Sequence, residues 1–462
     1  MKLKILSIAI IGILIFSGVL PVVSAKTNTK ISNSSEEYII EGVPLISTET
    51  GNDCEMASYA MLYQYLGFNY SYHDLFYLCG AGYSLATQPK HTGYRWEGGM
   101  LKYPRYPDVA VPARPFVTPG FEVSHWIKDF EFLSEIFGYD HNLTYWTEIL
   151  DEDDAWQEYW SRVKSYIDQD KPVWAAVDGC CITWWRENMP IAEEFYQKGL
   201  PGPNAHLIVL VGYNESNETV CYNDMCDANI GKYGYEYIGD PNDTGEYRWM
   251  SKATLKEATC SKDKNNQGSP YHFQIYAATM VLEENISKDA LSKEEAFELA
   301  HTRNIKKMQG YNPDVYDSGY LQFHHKNGFG LEGVKKLKRD LNPLRMRFVF
   351  RFWEIMGIFS PDIADFFSGT LTSGLYYVAK DKQFAADSLL NSSELHSFCE
   401  REGNLLRNES EKWFELKEIY ENCTILLNNK EPLFKIISKI RDMNVVLDEI
   451  IEIEETIILE AN

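Results

Sequence analysis

The chain has 462 residues, of which 67 are acidic and 44 are Lys or Arg, and 45% are hydrophobic. That length allows two or three domains with ample cores. A formal net charge of -23 argues against nucleic acid and anionic membranes as partners.

Residues 1–25 read as a signal peptide. Lys2 and Lys4 form a basic start, Ile5 to Val23 is apolar, and Val23-Ser24-Ala25 is a small-residue cleavage site. A membrane anchor over Leu3 to Val23 is the rival reading, but Gly18 and Pro21 interrupt the apolar run. Cleavage predicts a secreted or cell-surface protein with no stable membrane insertion. Residues 26–37 are polar and read as a linker. Asn-X-Ser/Thr sequons at Asn33, Asn69, Asn142, Asn214, Asn217, Asn242, Asn285, Asn391, Asn408 and Asn422 fit a glycoprotein. Nine cysteines in an exported chain suggest disulfide bonds. With Cys54 set aside, eight remain, with Cys399 and Cys423 positioned to pair within the C-terminal region.

Tyr38 to Ile46 reads as a strand. Cys54 to Leu66 reads as a helix with one buried face, ended by Gly67. Ser71 is the expected N-cap of a second helix reaching Leu78. Ala81 to Gly120 is rich in Gly, Pro and aromatic residues and reads as a long loop. Helices are expected at Ser124 to Phe137 and Asp153 to Ile167, and a strand at Pro172 to Val177. Trp184, Trp185 and Pro190 to Pro203 read as irregular. His206 to Tyr213 and Thr219 to Tyr222 read as strands, Ser251 to Ala258 as a helix, and Tyr271 to Leu282 as a closing strand. From about Ser287 the pattern is helical, with helices at Lys288 to Lys307, Glu332 to Leu341, Leu344 to Phe359, Leu371 to Leu390, Ser393 to Leu427 and Glu431 to Leu459. The fold class is therefore α+β over 38–285, followed by an all-α domain over 286–462.

The chemistry-bearing pattern is a Cys opening a helix (Cys54), a His opening an apolar strand (His206) and an Asp closing the next strand (Asp224). A helix N-terminus lowers a thiol pKa, an imidazole can take its proton, and a carboxylate can orient the imidazole. Asp227 and Asp178 are rivals for the carboxylate. Tyr94, Trp96, Trp184 and Trp185 are candidates to line a substrate groove. Cys221-x4-Cys226 lacks a second Cys/His pair, and His324-His325 lacks a spaced partner. No metal or other cofactor is expected.

The N-terminal half resembles the bacteriocin-processing cysteine peptidase family. The residues that carry the resemblance are Val43-Pro44-Leu45, Asn52-Asp53-Cys54-Glu55-Met56-Ala57-Ser58, Lys171-Pro172-Val173-Trp174-Ala175, Ala205-His206, Val211-Gly212-Tyr213 and Tyr222-Asn223-Asp224. The resemblance implies a papain-like fold, with Cys54 as nucleophile, His206 as general base and acid, and Asp224 as the orienting carboxylate. The family has an oxyanion-binding Gln a few residues before its Cys. Thr48 stands there in this chain, and Thr48 and Asn52 are the oxyanion candidates. The two-part architecture is also similar to proteins like the butirosin biosynthesis protein H, through Gly328-Phe329-Gly330-Leu331-Glu332, Gly374-Leu375-Tyr376 and Trp413. The expected function is an exported cysteine peptidase-like thiol hydrolase acting on a peptide or amide bond. The alternatives are an inactive papain-like surface binding module and an acyltransferase.

Overall fold

Two short apolar runs, Val173 to Val177 and Leu207 to Val211, anchor the architecture. Each is too short for a buried helix and lacks polar alternation, so each forms a strand covered on both faces. The computed structural model describes residues 37–49, 54–83, 85–88, 109–112, 131–144, 152–197, 205–226, 237–260, 278–310, 330–344, 346–347 and 361–461. The expected signal peptide and all but the last residue of the expected linker lie outside them. So do Asn52, Tyr94 and Trp96.

The strands are β1 (Glu37–Ile39), β2 (Leu85–Gln88), β3 (Val109–Pro112), β4 (Tyr139–Thr144), β5 (Val173–Asp178), β6 (Ala205–Asn214), β7 (Thr219–Asn223), β8 (Arg248–Ser251) and β9 (Thr279–Glu284). Seven of them form an antiparallel sheet in the order β4-β9-β5-β6-β7-β8, with β1 also on β6. Strand β5 pairs with the first half of β6 and β1 with the second half. Gly212 makes that exchange possible, because a Cβ there would lie 2.5 Å from the Tyr38 carbonyl oxygen. Strands β2 and β3 form a separate two-stranded ribbon inside the stretch that reads as a loop.

Helix α1 (Cys54–Tyr65) is buried on all faces from Cys54 to Tyr63, where the sequence predicted one buried face. It packs against both β6 and α2 (Tyr72–Cys79), so no face is left for solvent. Helix α2 starts at the expected cap. The Ser71 hydroxyl accepts from Asp74 N–H, and the Asp74 carboxylate accepts from Ser71 N–H. Helices α3 (Glu152–Ile167), α4 (Thr183–Asn188), α5 (Pro190–Gln197) and α6 (Lys252–Cys260) complete this half. Helices α4 and α5 replace the expected irregular stretch. Asp178 caps the 3-10 turn Gly179–Cys181 ahead of α4, and Pro190 occupies the first position of α5, where its missing N–H costs nothing.

The remaining helices are α7 (Lys293–Met308), α8 (Gly330–Asp340), α9 (Pro361–Asn391), α10 (Ser397–Asn428) and α11 (Leu433–Glu460). Helices α8 to α11 build a cluster of their own around Trp413, Leu416, Ile440 and Leu447. They also enter the main core, where Phe384, Leu389, Leu406 and Ile457 pack with residues of α1, α2 and the sheet. Polar contacts fasten the same junction. Asn304 Nδ2 donates to Tyr77 O and Lys307 Nζ to Cys79 O, each at 2.8 Å, and so they satisfy carbonyls at the end of α2. Asp74 accepts from Ser388 Oγ at 2.6 Å and pairs with Lys293 Nζ at 2.9 Å.

Deep among α9, α10 and α11 lies a buried ionic cluster. Lys382 Nζ is 2.7 Å from Glu409 Oε1 and 2.9 Å from Glu454 Oε1, and Trp413 Nε1 donates to Glu409 at 3.0 Å. Burial pushes the Glu409 carboxyl up to about 8, against the pull of Lys382.

The expected disulfides are not present. All nine cysteines are buried thiols, and no disulfide joins any two of them. Cys399 and Cys423 sit toward opposite ends of the continuous helix α10. They are roughly 36 Å apart at about 1.5 Å per residue, far beyond bridging distance. Among the described residues no helix is long and apolar enough to cross a membrane.

Candidate active site

Strand β6 places His206 opposite Val177 of β5. Asp224 follows the last residue of β7, and its N–H donates to Gly245 O at 2.9 Å. Gly245 has φ +84°, and a Cβ there would lie 2.1 Å from the Asp224 carbonyl oxygen. Only glycine lets the returning chain approach so closely. The neighbouring Asn223 ties the same turn to the leading segment. Its Nδ2 donates to Val43 O at 3.1 Å, and its Oδ1 accepts from Tyr247 N–H at 2.9 Å.

The structure brings His206 and Asp224 together. His206 Nε2 lies 2.8 Å from Asp224 Oδ1, and both side chains are buried. With the carboxylate ionised, Nε2–H is the donor, and Nδ1 is left for a different partner. Asp224 Oδ1 also accepts from Cys226 N–H at 2.9 Å. Oδ2 accepts from the Trp185 indole N–H at 3.0 Å and faces Arg248 Nη1 at 3.3 Å. Burial by itself pushes the Asp224 carboxyl up. The His206, Arg248 and Trp185 interactions together outweigh it and hold the carboxyl below the usual range.

Cys54 is the first residue of α1 and is buried, with 6% of its surface exposed. The helix it opens packs against β6, the strand that carries His206. Unsatisfied N–H groups and the positive end of the dipole face a side chain at such a position, which favours a thiolate. Thr48 is buried, and its N–H donates to Met225 O at 3.1 Å, which sets it beside the 224–226 turn.

The two described groove candidates take other positions. Trp185 is buried with its ring centroid 4.5 Å from that of His206, so it packs the imidazole and does not line an open groove. Trp184 donates its indole N–H to Asp243 at 2.5 Å, and the Arg248 guanidinium covers its face at 3.5 Å.

Arg248, Asp243 and Gly245 escaped the sequence reading. Arg248 belongs to β8, a strand that the aromatic-rich run Tyr247-Arg248-Trp249-Met250 could have signalled. Its Nη2 and Nε lie 2.6 and 3.1 Å from Asp243 Oδ1, and its Nη1 donates to Cys226 O at 2.8 Å. Asp243 is held below the usual carboxylate range, the Arg248 contacts outweighing its burial.

His206, Asp224 and Cys226 bring one imidazole nitrogen, one carboxylate oxygen and one sulfur within 4.8 Å of one another. The donor set does not fit a resident cation. Asp224 already accepts several hydrogen bonds, and the guanidinium 3.3 Å from Oδ2 repels a divalent ion.

Residues 40–258 match the family model described as the Peptidase_C39 like family. The matched segment holds Thr48, Cys54, Trp185, His206, Asp224 and Arg248, and it supports a cysteine peptidase-like hydrolase. No curated protein matches the chain.

Proposed function

We propose that residues 38–285 form a papain-like catalytic domain that cleaves a peptide or amide bond through Cys54, His206 and Asp224. The observation that carries this reading is the buried 2.8 Å contact between His206 Nε2 and Asp224 Oδ1. It commits one ring nitrogen to the carboxylate and leaves Nδ1 to serve a thiol. The placement of Cys54 at the start of a helix packed on β6 supports the rest.

In this mechanism His206 Nδ1 takes the Cys54 proton, and the thiolate attacks the substrate carbonyl. The Cys54 backbone N–H, with Thr48 or Asn52, stabilises the oxyanion. His206 returns the proton to the leaving amine, and an acyl-enzyme forms at Cys54. The imidazole then takes a proton from water, which attacks the thioester and frees Cys54. Asp224 holds the ring in register and stabilises the imidazolium. The substrate is an exported or external peptide, if the segment 1–25 acts as a signal peptide.

The test is alkylation by iodoacetamide at neutral pH, mapped by mass spectrometry. Cys54 should label fast in the wild type and about 10²–10⁴-fold more slowly in His206→Ala. Equal slow labelling in both proteins overturns the enzyme reading and leaves a binding module. Turnover of a peptide library separates hydrolysis from acyl transfer, since a transferase releases its acyl group only to an added amine.

A further inference from the structure

We infer that Arg248 is a positioning residue of this site, which fixes Asp224 and offsets part of the charge that Asp224 presents to His206. The inference rests on the Cys54–His206–Asp224 reading and deepens it.

Arg248 serves several groups at once. Its guanidinium faces Asp224 Oδ2 at 3.3 Å, bonds Asp243 Oδ1 at 2.6 Å, donates to Cys226 O at 2.8 Å and lies 3.5 Å from the Trp184 ring. A planar fork can meet all of these together, whereas a lysine ammonium presents a single compact centre. Arg248 is mostly buried, and a cation stacked on an indole in a poorly solvated setting is held firmly. Asp243 is fixed in turn by the Trp184 indole N–H and by its own bond to Gly245 N–H at 2.8 Å. Gly245 is the residue whose carbonyl accepts from Asp224 N–H. Asp224 is thus braced through its side chain by Arg248 and through its backbone by the loop that Arg248 anchors.

The electrostatic part follows from the same contacts. Among the described residues, the titratable and charged groups facing this network are His206 on β6, Tyr222 on β7, Asp224 and Cys226 in the following turn, and Asp243 ahead of β8. Trp184 and Trp185 on α4 carry no charge. An imidazolium beside Asp224 gains from one anion and is opposed by the guanidinium behind it. Asp243 lies beyond the guanidinium and screens it. The two residues should therefore move His206 in opposite directions.

The test follows the His206 ring by NMR in the full chain labelled with ¹⁵N-histidine. Cys54→Ser removes the thiol from the site, and the signal missing from His206→Ala gives the assignment. Arg248→Met should raise the His206 midpoint by about one pH unit. Arg248→Lys, which keeps the charge, should move it much less, and Asp243→Asn should lower it. A midpoint unmoved by Arg248→Met, or moved the same way by both losses, overturns the inference. If Arg248→Met does not fold, the downward shift in Asp243→Asn decides, and its absence overturns the inference. Failure of the triad itself shows separately, as wild-type Cys54 labelling no faster than in His206→Ala. Normal labelling with no midpoint shifts sinks the Arg248 role alone.

Discussion

Two of the buried charge networks among the described residues have carboxylates that answer burial in opposite directions. Asp224 is fully buried yet held below the usual range, because His206 and Arg248 both face it. Glu409 is also fully buried, but its carboxyl is pushed up to about 8. The one lysine in its cluster is shared with Glu454, and that second carboxylate repels it. Depth is the same in the two places; the ratio of basic groups to carboxylates differs. Burial sets the size of the penalty, and the partners decide whether a carboxylate ionises through it or takes up a proton.

The sharpest way to break this comparison is to remove the lysine. Lys382→Met leaves two buried carboxylates without a cation and should cost about 3–5 kcal/mol, read by denaturant unfolding at pH 7. Adding Glu409→Gln and Glu454→Gln should recover much of that loss. An unchanged midpoint in Lys382→Met means that the cluster is hydrated in solution and the contrast is void. The next effect lies at the other network. Asp224→Asn keeps the shape but turns an acceptor into a possible donor, so the imidazole tautomer changes. Cys54 labelling should fall about 10²-fold, and the unfolding midpoint should fall as well, because Arg248 loses a buried partner. A fall in stability with unchanged labelling would make Asp224 a structural carboxylate only. The smallest effect is the pH dependence. Glu409 binds its proton more tightly folded than unfolded, so its contribution is fully present below the ordinary glutamate range and is lost as pH climbs through about 8. Asp224 is the reverse: its contribution holds above the ordinary aspartate range and is lost as pH falls below it. Stability should therefore drop by about 2–3 kcal/mol between pH 6 and pH 9, and Glu409→Gln should flatten that drop. A slope that survives Glu409→Gln belongs to some other group.

Much of this was legible in the sequence where local rules govern. The Ser71 cap, the Gly67 stop, the paired strands carrying His206 and Asn223-Asp224, and the long C-terminal helices all follow from capping, turn chemistry and periodicity. What escaped depends on contacts distant in sequence. Strand β8 is only four residues long, too short for a period to show, and its Arg248 gains meaning from Asp224 across the sheet. Trp185 reads as an exposed loop aromatic, because nothing local reveals that its N–H meets a carboxylate 39 residues away. Cys399 and Cys423 suggested a bridge by their shared region alone, although the helix expected from Ser393 to Leu427 already holds both and keeps them apart.

The junction between the two halves has a consequence for how the chain matures. Asp74 lies near the end of the segment first made, and its partner Ser388 comes 314 residues later. At ribosomal speeds that separation is on the order of tens of seconds. During that interval the carbonyls of Tyr77 and Cys79 also wait for Asn304 and Lys307. The half that carries Cys54 therefore emerges first but is finished last. A nascent chain stalled before α9 holds Cys54, His206 and Asp224 but lacks the Ser388 contact to Asp74.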